Sequence, residues 1–299
     1  MLLPHMSVIT NSASTIIRDN TYINGGENTN ANTFGLYIDG VSDADIYRNT
    51  VVGGDENTST RYNNYGIYID SAMNINIFNN FIIGATSDTD SSNYSYGIYS
   101  FGTNVKVVNN TITAGGVDTA GSSEYYSIYL DSIPTWGIKP EILNNIIIGG
   151  NDSSSSYGIF INNQIDPSPE DWCVIFNNAF DKSRCQIYVR TDSDTYSSIN
   201  AFQTAGDILP DPINNDAYNI KGIDTDIRFL DPSNYNYRID PASPDTSFIS
   251  DKGYNDTAGN PNYQAADIYS PSEAALYDID GEARPTDYSN IDLGADEFN

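Results

Sequence analysis

Basic residues are scarce. Thirteen Lys and Arg stand against 40 Asp and Glu in 299 residues, for a formal charge of −27. A chain of that sign repels polyanions, which excludes nucleic acid and anionic membrane as partners. Histidine is nearly absent, His5 being the one copy, so chemistry that rests on an imidazole has a single candidate near the chain start. Only two cysteines occur, Cys173 and Cys185; one disulfide or two core thiols would account for them equally, and neither fixes a compartment. No apolar run reaches the roughly 18 residues of a membrane-spanning helix. The opening "MLLPHM" is too short for a signal peptide, so the chain reads as soluble, any export signal having been removed or never included.

What is abundant is Tyr, Asn, Ser, Thr, Asp and Gly, arranged as a repeat. "FGLYID" begins at Phe34, "YGIYID" at Tyr65, "YGIYSF" at Tyr96, "YSIYLD" at Tyr126 and "YGIFIN" at Tyr157, and a decayed "CQIYVR" begins at Cys185. A second phrase follows each of the first five copies, as in "RNTVVGG", "NNFIIGA" and "NNIIIGG". Self-similarity at this period signals a stacked architecture. Within each copy the apolar residues alternate over short runs rich in Ile, Val and Tyr, the mark of strands. In the second copy three strands are expected, Gly66 to Asp70, Asn74 to Phe78 and Phe81 to Ile83. Three short strands per period, with no helical segment between them, predict an all-β, right-handed parallel β-helix of about 30–31 residues per coil, each coil rising about 4.8 Å.

Stacking turns every repeated residue into a column. Leu36, Ile67, Ile98, Ile128, Ile159 and Ile187 are expected inside, as are Ile38, Ile69, Leu130 and Ile161. Asn20, Asn49, Asn80, Asn110, Asn145 and Asn178 form a corner column, where an amide tolerates left-handed backbone and bonds its counterpart in the next coil.

These coils resemble the right-handed parallel β-helix repeats of the pectate-lyase-like superfamily over roughly Met6 to Phe202. The tail, with Asp231-Pro232, Ser243-Pro244, Asp280-Gly281, Arg284-Pro285 and Asp292, Gly294, Ala295 and Glu297, is similar to the C-terminal segment of choice-of-anchor Q surface proteins. It departs from their wording at "SPDTSFI" and by an insertion around Tyr254 to Tyr277. The resemblance implies export and an extracellular or cell-surface life, without implying catalysis, because this superfold carries lyases, hydrolases, adhesins and scaffolds alike. The 31-residue rhythm ends near Asp207. Coils over 6–206 and a cap over 207–299, packed on the last coils to protect their strand edges, are expected. No matching cap is apparent at the N-terminal coil, which points to further upstream coils or to a homo-oligomer joined there.

The outward side of the first strand holds the candidate site. Its columns are Gly35, Gly66, Gly97, Ser127 and Gly158; then Tyr37, Tyr68, Tyr99, Tyr129, Phe160 and Tyr188; then Asp39, Asp70, Phe101, Asp131, Asn162 and Arg190. The aromatic column is either a self-supporting ladder or a platform on which sugar rings stack while the Asp column accepts hydroxyl hydrogen bonds. For an enzyme, Asp39 and Asp70, one coil apart, would sit near the roughly 5 Å spacing of retaining glycosidases, and Asp70 and Asp131 at about 9.6 Å, at or just beyond the upper inverting limit. A lyase would use Arg190 as base and would need Ca²⁺ to hold a uronate in so acidic a groove. The loops entering the first strand are acidic. They are either a solvated edge or a Ca²⁺ site built on Asp55, Asp88, Asp118 and Asp152. The expectation is therefore a polysaccharide- or glycan-associating protein outside the cell, adhesin-like or scaffold, requiring no cofactor though able to use Ca²⁺. A polysaccharide lyase or glycoside hydrolase on the same face, and a subunit that assembles end to end, are the alternatives.

Overall fold

The structure, a computed structural model, describes residues 7–26, 31–54, 62–86, 94–115, 124–133, 140–150, 155–162, 174–176, 178–190, 195–198, 201, 222–225, 229–231, 236–240, 242, 278–280 and 294–295. It is the all-β parallel β-helix expected from the repeats, with three strands in each coil.

The first sheet stacks Ser7–Thr10, Thr33–Asp39, Asn64–Asp70, Tyr94–Phe101, Glu124–Asp131, Ser156–Asn162 and Ile187–Arg190 in parallel, and Thr195–Tyr196 closes it antiparallel. The second sheet runs from Thr15–Arg18 through Ala44–Tyr47, Ile75–Phe78, Val105–Val108 and Glu141–Leu143 to Val174–Phe176. The third begins at Ile23–Asn24 and passes Thr50–Val52, Phe81–Ala85, Thr111–Gly115, Ile146–Ile147 and Asn178–Asp181 to Gly222–Thr225. Identical positions pair: Leu36 with Ile67, Ile67 with Ile98, Ile98 with Ile128 and Ile128 with Ile159. Together with inward residues of the other two sheets, such as Ile46, Ile77, Val107, Ile82 and Ile112, they form one continuous dry core.

The Asn-Asn corner divides two tasks between neighbours. The first residue takes left-handed backbone, with φ of 58° at Asp19, 54° at Arg48, and 55°, 52° and 55° at Asn79, Asn109 and Asn144. The second carries the amide ladder. Asn110 Nδ2 donates to Asn145 Oδ1 (3.2 Å) and to the carbonyls of Ile77 (2.8 Å) and Val108 (3.0 Å), while its own Oδ1 accepts from the backbone N–H and Nδ2 of Asn80. The same pattern links Asn20, Asn49, Asn80, Asn145 and Asn178. Pairing along the ladder is the condition for burying these amides, whereas the side-chain amide of Asn109, beside Asn110, is buried with no hydrogen-bond partner among the described residues.

Two outcomes differ from the sequence reading. The glycines between the aromatic and the Ile face inward, toward the third sheet. A Cβ on Gly66 would lie 2.5 Å from the Gly97 carbonyl oxygen and 2.9 Å from Ile82 Cγ2. The expected outward glycine column is corrected accordingly. The last coil also slips: Ile187 pairs with Tyr157, and Val189, not Ile187, pairs with Ile159. The turn at Asp181–Cys185, in which the Cys185 N–H donates to the Asp181 carbonyl at 2.8 Å, spends two residues that a strict period assigns to the strand. Cys185 is a free, buried thiol whose Sγ approaches the Ile147 carbonyl at 3.5 Å, and burial pushes its pKa up.

Beyond the coils, Gly222–Thr225 pairs with Asn178–Asp181 and covers the last edge of the third sheet. Ile239 and Ala295 lie on that sheet's outer face, in an apolar cluster with Val52, Phe81, Ile83, Ile146, Ile148 and Ala179. Arg238 pairs with Asp280 there, close to Arg48, whose guanidinium holds Asp19 at 2.6 Å. The third sheet is thus apolar on both faces, and part of the tail runs along its flank. Among the described residues no helix is long and apolar enough to cross a membrane.

Candidate functional site

The Gly66 position explains the outer face of the first sheet. Since Gly66 and Ile67 both face inward, alternation breaks between them, and Tyr65 emerges on the same outer side as Tyr68 three residues on. Every coil does this. The result is a second aromatic column, Phe34, Tyr65, Tyr96, Tyr126 and Tyr157, beside the expected column of Tyr37, Tyr68, Tyr99, Tyr129 and Phe160.

Stacked neighbours within each column lie 4.8–5.2 Å apart, centroid to centroid, with interplanar angles of 4–16°. Rings of the two columns meet edge to face at 5.0–6.0 Å and 79–88°. Near-parallel rings about 5 Å apart touch at about 3.5 Å only when their planes tilt by roughly 45° from the stacking axis. Two columns tilted in opposite senses are then mutually perpendicular, as observed. This is a herringbone, and each contact of this kind is worth about 0.5–1.5 kcal/mol beyond area burial.

The herringbone corrects one premise of the sugar platform. Stacking of sugar rings needs open ring faces, but the faces are covered by rings of neighbouring coils and by edges from the other column. Tyr65, Tyr96, Tyr126 and Tyr157 are buried at 5–7 % exposure, and Phe160 is at 9 %. Tyr37, Tyr68, Tyr99 and Tyr129 are half-buried. Within the two columns, what remains partly open to solvent is Phe34 with Tyr37, Tyr68, Tyr99 and Tyr129.

The acidic column stands beside that rim as expected. Asp39 pairs in register with Asp70, Asp70 with Phe101, Phe101 with Asp131, and Asp131 with Asn162. Asp131 is the most engaged: its Oδ2 accepts from the Tyr99 phenol at 2.9 Å, and its Oδ1 accepts from Asn162 Nδ2 at 3.1 Å and Ser132 Oγ at 3.2 Å. Asp70 Oδ1 accepts from Ser71 Oγ at 2.8 Å. Phe101 interrupts the column and is 40 % exposed.

Burial drives the phenol pKa values upward. Tyr68 is pushed to about 12, chiefly by burial and next by the Asp70 charge. Tyr37 is raised by burial and by Asp39 and Asp70. For Tyr99 burial leads and the hydrogen bond to Asp131 follows; for Tyr126 burial leads and its hydrogen bond to Glu124 follows. These phenols are therefore hydrogen-bond donors throughout the neutral range.

Two further site residues change place. Because the last coil slips, Tyr188 lies opposite Gly158 rather than in the Tyr column, and Arg190 pairs with Phe160 rather than following Asn162. Arg190 is thus on the aromatic register and leaves the Asp column. Asp55, Asp88, Asp118 and Asp152, the Ca²⁺ candidates, lie outside the described residues, as do His5 and Cys173. Among the described residues no group of three or more His, Cys, Asp or Glu side chains converges as a metal site.

Sequence reasoning missed the second aromatic column of the outer face, Phe34, Tyr65, Tyr96, Tyr126 and Tyr157, and with it Glu124. The signal was present, since each of the five well-formed phrases opens with Phe or Tyr. No family model, curated protein or solved structure gives a significant match to the chain.

Proposed function

We propose that this β-helix protein associates with polysaccharide outside the cell, as a non-catalytic adhesin or scaffold, through the polar rim of the first sheet. One observation carries the proposal. The outer edge of the sheet sets half-buried phenols, Tyr37, Tyr68, Tyr99 and Tyr129, alongside Asp39, Asp70, Asp131 and Asn162, with like positions paired strand to strand. A row of donors about every 4.8 Å beside a row of acceptors broken once, at Phe101, suits a polymer that presents hydroxyl groups at regular intervals. The rings contribute edges and rigidity rather than stacking faces. The tail motifs that resemble those of surface proteins support the exterior location, and the charge of −27 favours a neutral over an anionic glycan.

The test is a panel of neutral and acidic polysaccharides, read by calorimetry and by release of reducing sugar or unsaturated product, with and without Ca²⁺. Tyr68→Phe keeps the ring and removes only the hydroxyl. Loss of one neutral hydrogen bond should weaken binding by about two- to tenfold. If contact were instead through ring faces, Tyr68→Phe would bind like the wild type. Binding to no member of the panel rejects the proposal, and sugar release assigns the face to an enzyme.

A further inference from the structure

The herringbone carries a second property, independent of any glycan. Eight tyrosines, four in each column, form one unbroken ring array across five coils, closed by Phe34 at one end and Phe160 at the other. Every ring touches neighbours along its own column and in the facing one. Electron exchange between aromatic rings in van der Waals contact is fast, so an electron vacancy created at one tyrosine is shared by the others.

Where it comes to rest depends on the proton. Oxidation of a phenol at neutral pH yields the neutral radical only if the hydroxyl proton leaves, and that requires a base within hydrogen-bond distance. Among the described residues, hydrogen bonds to a carboxylate are seen for two members of the array. The Tyr99 hydroxyl donates to Asp131 Oδ2 at 2.9 Å, and the Tyr126 hydroxyl donates to Glu124 Oε2 at 2.5 Å. Both sit in the interior of the array. Tyr99 is stacked between Tyr68 and Tyr129, and Tyr126 between Tyr96 and Tyr157. The array also has an outer member. Tyr94, 41 % exposed, leans on Tyr96 and Tyr126 at 6.3 and 6.4 Å.

We propose that the tyrosine array relays and stores single oxidising equivalents delivered from solution, with Tyr94 and the rim phenols as the point of contact and Tyr99 and Tyr126 as resting sites. The oxidant is a diffusible one-electron acceptor, of the class of peroxidase intermediates or carbonate radicals. It takes one electron from an outer phenol and is reduced by one unit. The vacancy passes along the rings to Tyr99 or Tyr126, whose O–H bond breaks, the proton moving to the Asp131 or Glu124 carboxylate and the unpaired electron staying on the ring. An external one-electron donor reverses the sequence, and the proton returns to the phenol.

The experiment uses the full chain and photo-oxidised ruthenium tris-bipyridine generated by a laser flash, with the tyrosyl radical followed by transient absorbance and freeze-quench electron paramagnetic resonance. In the Asp131→Asn/Glu124→Gln double variant the phenols keep an acceptor but lose the base. The wild-type radical should persist at least about tenfold longer than the variant's. Equal yield and lifetime, with circular dichroism showing both folded, overturns the proposal. A second pair, Tyr99→Phe/Tyr126→Phe, keeps all ring contacts and so guards against misfolding of the first. Its radical should appear on other tyrosines and decay faster, whereas an unchanged signal in this variant also overturns the relay.

Discussion

Asn110 offers the sharpest test of how the coils are held together. Its side chain makes five hydrogen bonds in a fully buried corner: three donated, to Ile77, Val108 and Asn145, and two accepted, both from Asn80. Asn110→Ala removes all five, but the partners lose unequally. Asn80 Nδ2 keeps the carbonyls of Ile46 and Phe78, Asn145 Oδ1 keeps the Asn110 N–H, and Val108 still accepts from the Asn79 N–H. The Asn80 N–H is left orphaned. One orphaned buried donor costs about 1–3 kcal/mol and each further lost bond roughly 0.5–1.5, so with discount for non-additivity the total should fall at about 3–5 kcal/mol. Asn20 heads the same ladder but is exposed; the Arg18 carbonyl can turn to water and Asn49 Oδ1 keeps the Asn20 N–H, so Asn20→Ala should cost less than about 1 kcal/mol. Urea denaturation followed by circular dichroism on both variants measures the difference. Costs within about 0.5 kcal/mol of each other would refute the argument that burial, rather than the amide itself, gives the ladder its worth.

Other expectations rest on separate parts of the fold. Ser100 replaces Ile in the inner column between Ile69 and Leu130, and its buried hydroxyl has no hydrogen-bond partner; Ser100→Ile should raise stability by about 1–3 kcal/mol, and a lower melting temperature would show the column has no room for it. Ile98, fully buried between Ile67 and Ile128, should cost about 2–5 kcal/mol on truncation to Ala, against about 0.5 for Met73→Ala, which is 49 % exposed. Tyr68 has a folded pKa raised to about 12 from the usual 10, so the folded state holds its proton more tightly than the unfolded state. That contribution is complete below pH 10 and is lost as the pH climbs toward 12, so phenolate absorbance should rise together with loss of the dichroism signal; titration near the ordinary value with the fold intact contradicts the buried herringbone.

The β-helix was legible because a solenoid converts a sequence period into spatial columns. Residues such as Ile67, Ile98 and Ile128 need only their spacing to be placed inside, and the Asn pairs mark the corner by sequence alone. The last coil was not legible by period. "CQIYVR" matches the phrase by residue type, yet hydrogen bonding in the Asp181–Cys185 turn sets the register two residues away, and it carries Tyr188 and Arg190 out of the columns that similarity assigns them. Nor does composition reveal that Ile239 and Ala295 settle on the flank of the third sheet. The apolar outer face of "FIIGA" was readable as an all-apolar strand, but what covers it depends on tertiary packing.

The candidate site shows where strand alternation fails as a guide. Strict alternation sends Tyr65 inward with Ile67 and sends Gly66 outward. The packing of Gly66 against the third sheet reverses this, because no side chain fits between its backbone and the Gly97 carbonyl. One small inward residue per coil, glycine in four and Ser127 in the other, therefore doubles the aromatic content of the outer face. That doubling changes what the face can recognise. A single column of tyrosines at this spacing could turn its rings toward a ligand, whereas two columns that interlock edge to face use those surfaces on each other and leave phenol oxygens and neighbouring carboxylates at the boundary with water. Under the proposed function, recognition at this face is a matter of hydrogen bonding from a rigid rim, and the aromatic rings act mainly by holding that rim in register from coil to coil.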